Sequence, residues 1–199
     1  MPCYAASVFS FTGNLGSGDA SAVFSFTMAQ DSPVTIRTFG YAGGTNGAGT
    51  VIPAGGLDPF VALYDSTGVA IAFNDDGGCA NVGTDPVTLS CADSLIVNNL
   101  LPGTYQVSLT QTGNILNTSS LGDGFTQTGN PTYACDPFVV VGEFCDTSNG
   151  ALRTSAWALD ISFDGDGSAE GPGGQTVPEP ATWMAAAAGL ALLAWKRRR

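Results

Sequence analysis

The side chains best suited to chemistry in this sequence are carboxylates. Asp58, Asp65, Asn74, Asp75 and Asp76 fall within a 19-residue stretch broken by Pro59 and Gly68 and followed by Gly77 and Gly78. A hard divalent cation such as Ca²⁺ takes about six to eight oxygen ligands, and carboxylates and amides on neighbouring loops supply them. These five residues are therefore candidate calcium ligands. The complete loop of a helix–loop–helix calcium site is absent, and Asp164-Gly165-Asp166-Gly167 carries only half of one. The same residues also read as turn formers, whose side chains accept hydrogen bonds from nearby backbone N–H groups. Both readings stand on the sequence.

Other chemistries are narrowed by composition. The chain of 199 residues has no histidine, and its one lysine is Lys196, so the usual general bases near neutral pH are missing. A glycosidase would need two carboxyl groups facing each other across a cleft, one with a raised pKa. Glu143, beside Phe144 and Cys145, is a candidate for one of them, but the sequence offers no partner or aromatic groove. The expectation is a protein that is not an enzyme, with a carboxylate hydrolase as the alternative. Four of the five cysteines fall into close pairs, Cys79 with Cys91 and Cys135 with Cys145, which suits local disulfides in an exported protein. Free thiols are the other reading of the pairs; zinc is disfavoured because no CxxC spacing or histidine accompanies them. Cys3 is left over.

Charge is distributed unevenly. Up to Val177 the only basic residues are Arg37 and Arg153, against 16 acids (17 less Glu179), which leaves −14 on this part of the chain. Such a surface repels nucleic acid and anionic lipid and favours divalent cations. No nucleic-acid partner is expected.

Four of the six cations close the chain as Lys196, Arg197, Arg198 and Arg199. Before them, residues 181–195 are 15 uncharged residues built from Ala, Leu, Met and Trp with one Thr and one Gly. As a helix this segment reaches about 22 Å, against a hydrocarbon core of about 30 Å. It spans a membrane only with help from Trp183 and Trp195 as interface anchors and from snorkelling Lys and Arg stems. Pro178-Glu179-Pro180 precedes it, and the two prolines hold the backbone extended as an accessible acidic joint. In this order, residues 177–199 resemble the PEP-CTERM sorting signal of Gram-negative bacteria. The resemblance implies recognition by an exosortase, a membrane protease-like enzyme, and export in organisms that often make exopolysaccharide. An ordinary C-terminal tail anchor is the alternative. Residues 1–7 have no basic or apolar signal region, so they are expected to be a remnant or mature N-terminus downstream of a missing signal peptide.

The elements that must position these residues read as strands. Residues 8–12 and 23–27 carry the same five-residue sequence and alternate apolar with polar, which predicts a hairpin. Residues 34–41 form a third strand, and 60–64 with 69–73 form a hairpin around Asp65-Ser66-Thr67-Gly68. Residues 95–100 and 104–110, joined by Pro102-Gly103, predict another hairpin. Residues 138–141 and 156–163 close the domain, the latter placing Trp157, Leu159, Ile161 and Phe163 on one face. About nine short strands without an amphipathic helix argue an all-β, jelly-roll-like two-sheet β-sandwich over 8–163, with a closed barrel as runner-up. Residues 164–176, rich in Gly and Asp, read as a flexible linker to one short C-terminal transmembrane helix.

The Asp58-Pro59 to Gly68 hairpin, the Asn74-Asp75-Asp76-Gly77-Gly78 loop and the Leu101-Pro102-Gly103-Thr104-Tyr105 strand entry resemble the bacterial pre-peptidase C-terminal domain. That resemblance implies a β-sandwich, some of whose relatives bind calcium and an extracellular polymer. The functional expectation is an exported surface or matrix protein of structural or interaction type, sorted by an exosortase at the membrane and associated with exopolysaccharide or biofilm. The alternative is a calcium-dependent carbohydrate- or polymer-binding module.

Overall fold

A computed structural model describes residues 5–176. The long strands alternate in burial as their sequences do, because side chains two apart share a face of a strand. β1 (Ala6–Asn14), β2 (Ala22–Met28) and β3 (Ser32–Thr38) are followed by the short pair β4 (Gly44–Thr45) and β5 (Val51–Ile52). β6 (Pro59–Tyr64), β7 (Ala70–Asn74), β8 (Leu95–Leu100) and β9 (Gly103–Gln111) come next, then β10 (Ala156–Asp164), β11 (Gly167–Gly171) and β12 (Gln175–Thr176). They build a four-stranded sheet ordered β1-β10-β3-β8 and a six-stranded sheet ordered β12-β11-β2-β9-β6-β7, with every pairing antiparallel. The two large sheets share no ladder, so the described chain is all-β and sandwich-like rather than a closed barrel.

One apolar core lies between the sheets. Phe9 and Phe11 of β1, Ile36 of β3, and Trp157, Leu159, Ile161 and Phe163 of β10 meet Phe24 and Phe26 of β2, Val61 and Leu63 of β6, and Val107 and Leu109 of β9. Burying each such side chain stabilises the fold by roughly 1.5–3 kcal/mol before entropy is counted. β6 is buried on both faces: Phe60, Ala62 and Tyr64 form a second cluster with Leu116 and Leu121, supplied by the long connection after β9. That connection covers part of the outer face of the six-stranded sheet.

Several local expectations are corrected by long-range pairing. The repeated segments 8–12 and 23–27 do not form a hairpin: β1 pairs with β10, while β2 pairs with β9 and β11. The repeats instead face each other across the core, with the Phe11 and Phe24 rings 5.3 Å apart. Likewise β8 pairs with β3 and β9 with β2 and β6, so Pro102-Gly103 carries the chain from one sheet to the other. Only the β6–β7 hairpin forms as read. Residues 138–141 are not a strand; a 3-10 turn covers Asp136–Phe138, and Val139 follows with φ 56°.

Residues 164–176 are also not a free linker, because Gly167–Gly171 pairs with β2 and with β12. Glycine serves close approach here. A Cβ on Gly167 would lie 2.6 Å from the Phe163 ring, and one on Gly171 2.8 Å from the Phe11 ring. A Gly-rich composition matches both a flexible segment and a tightly packed strand, and the ladder with β2 together with the close Thr27 carbonyl and phenylalanine rings decides for the strand.

Both cysteine pairs form disulfides, Cys79–Cys91 and Cys135–Cys145, with Cα atoms 5.0 and 5.1 Å apart. Among the described residues no helix is long and apolar enough to cross a membrane. Cys3, the sorting motif Pro178-Glu179-Pro180, the expected membrane helix 181–195 and the anchors Trp183, Trp195, Lys196, Arg197, Arg198 and Arg199 lie outside the described residues.

Candidate functional site

The five candidate ligands do not gather at one point. Asp58 precedes β6 and Asp65 follows it, so an extended strand separates them by roughly 20 Å. Asp65 is spent on its own turn: Oδ1 accepts from the Thr67 N–H at 2.9 Å, the Thr67 hydroxyl at 2.7 Å and the Val69 N–H at 3.0 Å. The Thr67 hydroxyl and then the Val69 N–H hold its carboxyl below the usual range. Asn74 is occupied too, accepting from the Leu95 N–H at 2.8 Å through Oδ1 and donating to the Asp76 carbonyl at 3.2 Å through Nδ2. Asp65 thus forms a local turn, while Asn74 ties its loop to the start of β8.

Asp58, Asp75 and Asp76 come together at the other end of the hairpin. The antiparallel register places Val61 opposite Asn74, which carries the residues beyond Asn74 back toward the start of β6. Ser94 packs beneath this corner, its hydroxyl within 2.6–3.0 Å of the Pro59, Asn74 and Asp75 carbonyl oxygens, and its single proton serves one at a time. Asp75 Oδ1 accepts from the Thr112 hydroxyl at 2.5 Å, and the Thr112 N–H donates to the Asp58 carbonyl at 2.7 Å. The side chain of Asp58 is 8% exposed, and its Oδ1 has no hydrogen-bond partner. Burial, and then the nearby charges of Asp75, Asp76 and Asp146, push its carboxyl up to about 8. Burial and the same neighbours, Asp75 and Asp146, raise Asp76 as well.

A proton on Asp58 relieves this crowding at neutral pH. A cation would relieve it in the same way and would compete with that proton. Among the described residues, however, no group of three or more Cys, Asp or Glu side chains is placed to hold a metal ion. The corner is thus an acidic cluster in which Asp58 and Asp76 are pushed up, with Asp65 and Asn74 standing apart from it.

A groove of about 790 Å³ starts at this corner and follows the edge strand β7. Phe60, Ile71, Phe73, Ile115 and Leu116 make its apolar lining, and Asp75, Asp76, Thr118 and Ser119 its polar parts. Phe73 is 67% exposed although its ring packs on that of Phe60 at 5.9 Å and 29°. No sequence motif marks this groove. Its one local signal is Phe73, an aromatic residue on a strand that alternates in exposure; the opposite wall comes from a connection with no periodic pattern.

A second polar assembly, which no motif in the sequence announces, ties three loops together. The Arg153 guanidinium donates to the Gly56 carbonyl at 2.9 Å, to the Tyr41 carbonyl at 2.7 Å and to the Asp85 carboxylate at 3.2 Å. The Tyr41 hydroxyl donates to Asp146 and lies 2.9 Å from the Thr88 hydroxyl. Asp93 is buried and accepts from the Thr38 hydroxyl and from the N–H groups of Tyr41 and Ala42. These charges are consumed internally and serve architecture. Glu143 is half-buried next to the Cys135–Cys145 disulfide.

A family model described as the PEP-CTERM protein-sorting motif matches residues 176–199. No curated protein matches the chain. The match covers the tail and is silent on the sandwich. It marks an exported protein, addressed to an exosortase and sorted to the cell surface.

Proposed function

We propose that this protein is a non-enzymatic structural or interaction protein of the bacterial surface or extracellular matrix, tethered briefly by residues 181–195 and then processed by the exosortase. The observation that carries this reading is the sorting motif joined to a disulfide-closed, acidic β-sandwich. The lack of histidine and the internal pairing of Arg153, Asp85 and Asp93 favour interaction over catalysis. The resemblance of the ectodomain to pre-peptidase C-terminal domains supports an association with exopolysaccharide. Intact-mass measurement of the exported form tests the processing: loss of the residues after the Pro178-Glu179-Pro180 region is expected, and an intact Arg199 overturns it. Co-fractionation with the extracellular polymer tests the association.

A second reading, calcium-dependent polymer binding, draws support from the orphaned Asp58 Oδ1 among its neighbouring carboxyls. It requires a rise in melting temperature with millimolar Ca²⁺ that Asp75→Ala and Asp76→Ala abolish. Absence of any shift removes it.

A further inference from the structure

We propose that the groove along β7 binds a chain of neutral or N-acetylated sugars, with Phe73 as its stacking platform. This inference rests on the exopolymer reading above and gives it a place on the molecule.

Phe73 is the first observation. Its ring is held on one side by Phe60, which is 5% exposed, while 67% of Phe73 faces solvent. A rigid aromatic face kept open beside an apolar wall of Ile71, Ile115 and Leu116 suits a planar ligand with an apolar face. The C–H face of a pyranose ring is such a surface, and the volume lies within the range of small-molecule sites, about 300–1,000 Å³.

The rim is the second. Asp75 uses one carboxylate oxygen for Thr112, and among the described residues its other oxygen, the Asp76 carboxylate and the Ser119 hydroxyl make no side-chain hydrogen bond. These groups can accept from sugar hydroxyls at the edge of the platform. A ligand that is apolar on its faces and rich in donors at its edge satisfies both parts of the groove.

Charge sets the class of polymer. Asp75 and Asp76 line one end of the groove, on a domain with only two cations before Val177. Uronate-rich or phosphorylated chains are repelled there, whereas neutral and N-acetylated chains are not. An extended peptide pairing with β7 is the competing occupant. Part of that edge is already taken, since Val69 bridges to Ser120 and the Ala70 N–H donates to the Ser119 carbonyl. That shortens the ladder on which strand addition depends.

The test is calorimetric titration of the purified exported protein with cellohexaose, N-acetylchitohexaose and a linear mannan, with polygalacturonate as the polyanion. Binding of at least one neutral or N-acetylated chain is expected, weakened about tenfold by Phe73→Ala and retained by Phe73→Trp. The melting temperature should stay unchanged, since Phe73 is largely exposed. Failure of all three neutral chains to bind, equal binding by polygalacturonate, or indifference to Phe73→Ala overturns the proposal. So does displacement of the sugar by a β-forming peptide. If the protein co-fractionates with the matrix and Phe73→Ala does so equally, the groove assignment fails while the matrix reading stands; if the wild-type protein does not co-fractionate, the matrix reading fails whatever the titration gives.

Discussion

The Arg153 guanidinium lies over the ring of Tyr41, 3.7 Å from its centroid, while pairing with the buried carboxylate of Asp85. The two side chains of that ion pair are 5% and 1% exposed. One cation thereby fastens the loops around Tyr41, Asp85 and Gly56 to the segment that leads into β10. Removing it leaves Asp85 charged and buried and the Gly56 carbonyl without its donor, while the Tyr41 carbonyl keeps the Gly55 N–H. Arg153→Ala should cost about 3–5 kcal/mol, the range for breaking one partner of a buried pair. Arg153→Lys should recover only part, because an ammonium lacks the planar fork. Urea denaturation of the three proteins measures both.

Asp58 should make stability fall as pH rises. Its carboxyl titrates at about 8 in the folded protein against a reference of 3.8, because of burial first and of Asp75, Asp76 and Asp146 next. Between those values the unfolded chain has released a proton that the folded protein keeps, so the folded state loses ground as pH climbs through this window and levels off above it. Asp85 and Asp146 act oppositely. Burial raises both, but hydrogen bonds to Asp85 from Thr88 and Val87 and to Asp146 from Ser148 and Tyr41 outweigh it and leave their carboxyls below 3.8. Their contribution is present above 3.8 and lost under it. Melting temperatures should therefore peak near the acidic end of the window, and Asp58→Asn should flatten the decline toward pH 8.

Reducing the disulfides should destabilise the sandwich without dissolving its core. Cys135 and Cys145 are fully buried and lie ten residues apart in sequence. Replacing both with Ser should cost about 2–4 kcal/mol. Alkylation followed by mass analysis should find Cys79, Cys91, Cys135 and Cys145 protected until a reductant is added.

Gly56→Ala should be costly despite its small size. The added Cβ would meet the Ala156 carbonyl at 2.4 Å and the Gly40 carbonyl at 2.5 Å, and these are backbone atoms that cannot swing aside. A loss of about 1–3 kcal/mol is expected from overpacking, read from the denaturation midpoint.

Val139→Asn should stabilise the protein. Val139 holds a left-handed backbone at φ 56° with 93% of its surface exposed, so the valine is strained and contributes little packing. Asparagine tolerates this region where a β-branched residue does not, which is worth about 1 kcal/mol. An unchanged or lower midpoint would count against strain at this position.

Alternation located the long core strands, though not β4, β5, β11 or β12. Phe9 and Phe11, Phe24 and Phe26, Val107 and Leu109, and Trp157 through Phe163 all turn their apolar faces to the core, as a period of two requires. The Asp65 turn and the two disulfide pairs were equally legible, because each is a contact between residues close in sequence. So was the sorting signal, which is read in linear order.

Tertiary structure decided the rest. A period of two says which face of a strand is buried and nothing about which edge pairs with which, so identical repeats at β1 and β2 went to opposite sheets. Gly167 and Gly171 belong to a packed strand paired with β2, where the Thr27 carbonyl and the Phe163 ring crowd the first and the Phe11 ring the second. Of the five candidate loop residues, the length of β6 holds Asp65 away, and the return of β7 brings Asp75 and Asp76 to Asp58. The groove beside Phe73 exists because a connection more than forty residues further along the chain folds over that strand, a proximity made by the compact chain that no local pattern encodes.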